Sequence, residues 1–246
     1  MQSKSFSITV KSKIKPFKKI IKVDADKSLS IRSFLISSIS HDVSSINNIL
    51  ESEDVKSTIQ ACKKLGVKIV RFKTGSYKVF GKGLGSLLAK KNLTIDCGNS
   101  GTLARLLIGI LSTTPDIEIN ITGDKSLKKR SMKKLINLMS EFGATFLPRG
   151  KYNFPLKLIS SEMPIGIHYK SGVSAQLKSA VILAGLNSYG NTEIIEKTLS
   201  RDHTENMLLN NKQVIKIKKN KEKKIIIFNF ISTSFVFLDL KLLLKE

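Results

Sequence analysis

The sequence predicts an α/β domain built on a repeated βαβ-like unit, and two patterns within its 246 residues carry that expectation. Three segments run from an apolar-periodic helix through a Gly- or Asn-containing turn into a strand: EDVKSTIQACKKLGVKIVRF (53–72), SMKKLINLMSEFGATFL (131–147) and HTENMLLNNKQVIKIKK (203–219). Between them stand units of strand, Gly loop and helix: LTIDC, GNSG and TLARLLIGILS, then IEINI and TGDKSLKKR leading into the second of those helices. At 41% hydrophobic and 25% charged, the chain has apolar surface for a sizeable core.

Taken in order, DKSLSIR (26–32) precedes the apolar run FLISSIS and marks a helix start. Val55, Ile59, Cys62 and Leu65 then recur at helical spacing, and Gly66 supplies a stop. GNSGT (98–102) follows a strand and opens a helix containing Arg105. Leu135, Leu138, Met139 and Phe142 repeat the helical pattern, closed by Gly143. SGVSAQLKSAVILAGL (171–186) enters another apolar helix, and the last segment places Asn210 and Asn211 where the others place Gly. LARLLIGIL and LKSAVILAGL are apolar on most faces, as helices buried in the middle of a domain must be.

The formal net charge of +23 points toward nucleic acid, a membrane surface or small anions. Only six of the 42 basic residues are Arg, and four of those (Arg32, Arg105, Arg130, Arg201) fall inside the Gly- and Ser-bearing loops. Arg presents a planar fork suited to phosphate and carboxylate that Lys cannot copy. A nucleic-acid surface calls for stacking aromatics, yet aromatics are 7% with no Trp. Two distant cysteines and three scattered histidines suggest neither a zinc site nor a disulfide framework, so a reducing cytoplasm is the expected setting. The Lys-rich N-terminus lacks the apolar core of a signal peptide. Residues 225–246 are interrupted by Asn229, Ser232, Asp239 and Lys241 and make a poor membrane span.

Five loops repeat one arrangement of small or hydroxyl residues, a cation and a helix start. In DKSLSIR, either Asp26 or Ser28 caps the helix while the cations face water, or the free amides and positive dipole end hold an anion with Lys27, Ser28 and Arg32. GNSGT leaves amides free beside Gly98 and Gly101. TGDKSLKKRSM sets Arg130 beside a helix start. In SGVSAQLK, Ser174 fits an N-cap, leaving Gln176 and Lys178 without a structural task. In TLSRDHTENML, Asp202 and Glu205 read as a capping box, His203 as a surface or capping group, and Ser200 with Arg201 remain as ligand candidates. Converging, these loops would make a pocket for a ligand with several negative groups.

With DKSLSIR, GNSGTLAR (98–105), TGDKSLKKR, SAQLKSAVILAGL (174–186) and LSRDHTENML (199–208) side by side, residues 15–212 resemble the enolpyruvyl transferases, and among them the EPSP synthase family in the branch called class II. The resemblance implies an inside-out α/β barrel domain of three βαβαββ units. It also implies transfer of the carboxyvinyl group of phosphoenolpyruvate to the 5-hydroxyl of shikimate 3-phosphate, in chorismate and aromatic amino acid biosynthesis, with no cofactor or metal. By position, Lys27 is the catalytic candidate and touches both substrates. Ser28 and Arg32 would hold shikimate 3-phosphate, Ser174, Ala175 and Gln176 would cradle its phosphate, and Ser200 and Arg201 would close over it. Asn99, Gly101, Arg130 and Gln176 would line the phosphoenolpyruvate site, and Arg105 would steady the loop. Replacing Arg32, or Ser174 with Gln176, is expected to abolish shikimate 3-phosphate binding with the fold intact.

Two departures stand out. Val23, Asp24 and Ala25 occupy the place of the family's Pro-Gly turn, and the family's length is about twice this chain's. The expected layout is therefore an N-terminal segment (1–22) belonging partly to a missing second domain, the transferase domain (23–225) and an aberrant or truncated tail (226–246). A chain so organised would be an incomplete, weakly active or inactive half. Its expected partners are the two small molecules, without nucleic acid or membrane, and it would be a monomer for which a separate second half is the protein partner to seek. The related UDP-N-acetylglucosamine transferase is the alternative within this chemistry, and a basic nucleic-acid-binding protein the alternative outside it.

Overall fold

The computed structural model describes residue 9 and residues 24–209, 215–219 and 224–229. The first unit comprises α1 (Lys27–Ser38), β1 (Val43–Ile46), α2 (Glu53–Lys64), β2 (Lys68–Lys73) and β3 (Ser76–Phe80). The second runs β4 (Thr94–Asp96), α3 (Gly101–Ser112), β5 (Glu118–Thr122), the short α4 (Lys125–Lys128), α5 (Lys133–Glu141), β6 (Thr145–Leu147) and β7 (Leu156–Ile159). The third runs β8 (His168–Ser171), α6 (Ala175–Gly185), β9 (Asn191–Glu196), α7 (His203–Leu208), β10 (Lys216–Lys219) and β11 (Lys224–Asn229).

The sheets prove the repeat. The second is ordered β4-β5-β7-β6 and the third β8-β9-β11-β10, while the first has the matching order β1-β3-β2. In both four-stranded sheets the leading pair is parallel and the remaining pairs are antiparallel. The expected βαβαββ unit is thus complete in the second and third units. The first lacks a counterpart of β4 and β8 among the described residues. Within TGDKSLKKR, α4 is an extra turn of helix, begun where Asp124 Oδ1 accepts from the Leu127 amide at 2.7 Å.

The helix periodicities translate directly into burial. In each unit the first helix is sunk in the interior: Ser30–Ser38 of α1, every residue of α3 except Arg105, and Lys178–Gly185 of α6 are buried. The second helices α2 and α5 are amphipathic, with Val55, Ala61 and Cys62 or Leu135, Leu138 and Met139 turned inward. Each fully buried Leu, Ile or Phe contributes about 1.5–3 kcal/mol over an exposed one, so the three central helices anchor the fold. Three of the buried serines of α1 are tolerated there because their hydroxyls bond back to carbonyls one turn earlier, Ser30 Oγ to Asp26 O at 2.9 Å, Ser33 Oγ to Leu29 O at 2.9 Å and Ser38 Oγ to Phe34 O at 2.7 Å. Gly109 lets α3 and α6 meet, since a Cβ there would stand 2.5 Å from Ala180 O.

Residues 1–22, apart from residue 9, and the tail from residue 230 lie outside the described residues. The division expected at residue 225 falls inside β11, which pairs with β9 through Ile226↔Ile194 and Asn229↔Asn191. Among the described residues no helix is long and apolar enough to cross a membrane.

Candidate active-site cavity

Because the three buried helices are equivalent parts of three repeats, the starts of α1, α3 and α6 come together, and a cavity of about 560 Å³ opens there. All eleven residues singled out from sequence line it: Lys27, Ser28 and Arg32; Asn99 and Gly101; Arg130; Ser174, Ala175 and Gln176; Ser200 and Arg201. Asp54, Thr102, Val173 and His203 complete the lining. Three helix N-termini, each with one first-turn amide taken by its cap (Asp26, Ser100 or Ser174), meet here, and among the described residues lining the cavity Lys27, Arg32, Arg130 and Arg201 stand against one carboxylate, Asp54. That balance suits a ligand with more than one anionic group.

The GNSG and TGD loops are sewn together. Asp124 N donates to Gly98 O at 2.9 Å, Gly98 N donates to Asp96 Oδ1 at 2.8 Å, and Ser100 caps α3 through the Leu103 amide. Arg130 Nη2 donates to Asn99 Oδ1 at 3.0 Å. Arg105 Nη1 donates to Gly101 O at 3.1 Å and to Gln176 Oε1 at 2.9 Å. Gln176 Nε2 in turn donates to Thr102 Oγ1 at 2.8 Å, so the Gln176 amide is held at both ends. Burial, then the nearby Arg130, lowers the Arg105 pKa. Lys27 Nζ sits 3.0 Å from Asp54 Oδ2, and its half-exposed side chain lines the cavity beside that carboxylate. Asp26, not Ser28, caps α1, accepting from the Leu29 amide at 2.7 Å.

Several sequence expectations require correction. Asp202 makes no capping bond to the start of α7; its Oδ1 accepts from Asn206 Nδ2 at 3.0 Å. Glu205 is wholly buried and pairs with Lys178 at 2.7 Å and Lys224 at 3.1 Å, which rules out the capping box. Lys178 has a structural task after all, being fully buried between Glu196 and Glu205. Arg32 is not simply a surface ligand: it is 3% exposed and donates to Thr204 Oγ1, Ser179 Oγ and Ser28 O. Its replacement by Ala would therefore disturb the fold, contrary to expectation. Burial drives its pKa down to about 10, which leaves it cationic at neutral pH.

Sequence reasoning missed Asp54, Thr102 and Val173 as cavity residues. Asp54 reads as an ordinary first-turn acid of α2, and only the tertiary pairing with Lys27 reveals it. Val173 stands beside Ser174 and carried no chemical signal. His203 does reach the cavity; burial first, then Arg32, lower its pKa.

The family model of EPSP synthase (3-phosphoshikimate 1-carboxyvinyltransferase) matches residues 11–229. The 3-phosphoshikimate 1-carboxyvinyltransferase of Ruegeria sp. (strain TM1040) is 39% identical over 212 residues, covering 86% of this chain and 47% of that protein. That of Sulfurihydrogenibium sp. (strain YO3AOP1) is 42% identical over 201 residues, covering 81% and 46%. The solved EPSP synthase from Acinetobacter baumannii superposes with a TM-score of 0.76 at 33% identity, over 87% of this chain and 47% of that one. The chain spans about half the length of these relatives.

Proposed function

The chain belongs to the EPSP synthase family, and from that premise we propose that its cavity binds shikimate 3-phosphate and phosphoenolpyruvate. The reaction it serves is then transfer of the carboxyvinyl group to the 5-hydroxyl of shikimate 3-phosphate in the shikimate pathway. The 5-hydroxyl gives up its proton as its oxygen bonds to C2 of phosphoenolpyruvate and C3 gains a proton to become a methyl group; loss of a proton from that methyl and cleavage of the bond from C2 to the phosphate oxygen then release inorganic phosphate and restore the double bond.

The observation that carries this proposal is the convergence of Lys27, Arg130, Gln176 and Arg201 on one cavity. Ser174, Ala175 and Gln176, on the first turn of α6, would take the shikimate phosphate, with Ser28, Arg32, Ser200 and Arg201 around it. Asn99, Gly101 and Arg130, supported by Arg105, would take phosphoenolpyruvate. Lys27 would bridge the two and offset charge as the carbon–oxygen bond forms. Among the described residues the one cavity carboxylate, Asp54, is engaged by Lys27. We therefore assign to this chain the binding and alignment of substrates rather than proton transfer, so that alone it turns over weakly or not at all. The free, buried thiols Cys62 and Cys97 fit a reducing cytoplasm.

Calorimetric titration with shikimate 3-phosphate and with duplex DNA, each at two salt concentrations, tests the proposal. Saturable heat with shikimate 3-phosphate supports it. Tight DNA binding that falls steeply with salt, without heat from shikimate 3-phosphate, rejects it.

A further inference from the structure

Behind the cavity lies a cluster of buried ionisable side chains that substrate binding does not use. Lys178 Nζ, fully buried, is 2.9 Å from Glu196 Oε1 and 2.7 Å from Glu205 Oε1, and Lys224 Nζ is 3.1 Å from the same Glu205 oxygen. Four charges of alternating sign balance, but a buried ion pair seldom improves stability over apolar residues of similar volume. Its position calls for another explanation.

Glu196, the last residue of β9, receives three donors on a single oxygen. Besides Lys178, its Oε1 accepts from the Ser200 amide at 2.8 Å and from Ser200 Oγ at 2.7 Å. Burial alone would push this carboxyl up, but the bonds from Ser200 and Lys178 outweigh burial and hold it below the ordinary range, hence ionised. The neighbouring Glu205 ties α7 to the same lysine, and Thr204 beside it bonds Arg32. Ser200 and Arg201 have no regular backbone ladder of their own, since they lie between β9 and α7.

We infer that Glu196, clamped by Lys178, is the positioning residue of the Ser200–Arg201 loop, fixing where those two side chains meet the anionic part of the ligand. A carboxylate that binds amide and hydroxyl of one residue sets both the height and the rotamer of that residue. The ligand named here rests on the proposed function; the anchoring itself does not.

Two variants and two readouts test it. Glu196→Leu removes the acceptor, whereas Glu196→Gln removes the charge and keeps an oxygen for Ser200. In ligand-free protein, hydrogen exchange at the Ser200 amide should quicken roughly tenfold or more in Glu196→Leu, with α3 amides unchanged, and return toward wild type in Glu196→Gln. By calorimetry, shikimate 3-phosphate affinity should follow the same order, falling roughly tenfold or more in Glu196→Leu. Unchanged Ser200 exchange in Glu196→Leu overturns the inference. Equal losses in both variants overturn it too, because lost charge rather than the Ser200 bonds would then be at fault. If Glu196→Leu shows no cooperative unfolding, Glu196→Gln decides: a protected Ser200 amide supports anchoring and an unprotected one refutes it. Wild-type protein giving no heat with shikimate 3-phosphate rejects the ligand assignment, while the exchange result still decides the anchoring.

Discussion

Arg32 Nε donates to Thr204 Oγ1 at 2.9 Å, joining α1 to α7 across 172 positions of sequence. Thr204 Oγ1 in turn donates a hydrogen bond to Ser179 Oγ at 2.8 Å, and Arg32 Nη2 donates to that serine oxygen at 3.1 Å. With Nη1 bonded to Ser28 O, three of the five guanidinium N–H groups are committed to protein. The remaining two are what the cavity can use.

Thr204→Val tests this brace. The substitution preserves shape and removes the acceptor, leaving a buried donor on a charged group without its partner. Urea denaturation should show a loss of about 1–3 kcal/mol with an unchanged m-value. Shikimate 3-phosphate affinity should fall as well, because the guanidinium is no longer held in one plane.

Gly101→Ala separates binding from folding. A Cβ there would stand 2.7 Å from Arg105 Nη1 and 3.0 Å from Arg130 Nη1, both ends of flexible side chains. The fold should yield by moving those guanidiniums, at the expense of the Arg130–Asn99 and Arg105–Gln176 bonds. Calorimetry should find phosphoenolpyruvate affinity lower by roughly tenfold, shikimate 3-phosphate affinity less affected, and thermal unfolding nearly unchanged.

The loops were legible in sequence because their grammar is local. Gly, Ser and Arg beside a helix start fit either a cap with solvated cations or an anion site, and the eleven candidates that the resemblance to the enolpyruvyl transferases picked out line one cavity. The three helix-turn-strand segments were legible for the same reason, through their 3.6-residue period and a stop at Gly66 or Gly143. Asp54, Lys178 and Glu205 were not, because what defines them is a partner elsewhere in the chain: Lys27 for the first, Glu196 for the second, Lys178 and Lys224 for the third. The Asp202–Glu205 spacing mimicked a capping box while Glu205 was committed inward. Local spacing cannot distinguish a cap from a buried ion pair when both need a carboxylate near a helix start.

Gly109→Ala probes the junction of the two most closely packed helices. Unlike the cavity glycine, Gly109 faces backbone: its new Cβ would stand 2.5 Å from Ala180 O and 2.9 Å from Ala180 Cα. Neither helix can yield without moving its neighbours, so denaturation should register a loss of about 1–3 kcal/mol or more.

Acid titration should single out Glu51. Its bond from Arg71, then those from the Gly75 amide and the Tyr77 hydroxyl, hold its pKa at about 2 against an ordinary 4.5. A carboxyl depressed on folding contributes stability above the unfolded value and loses it as pH falls through the folded one. The contribution is therefore full above pH 4.5 and fades between 4.5 and 2. Glu51→Gln should be less stable at neutral pH, and urea midpoints of the two proteins should converge as pH drops through that window.

Diffraction from crystals of the chain grown with shikimate 3-phosphate tests the central claim most directly. The phosphate should lie within hydrogen-bonding reach of Ser174, Gln176 and Arg201 at the start of α6. Well-defined ligand density outside the cavity, with those three side chains untouched, would contradict it.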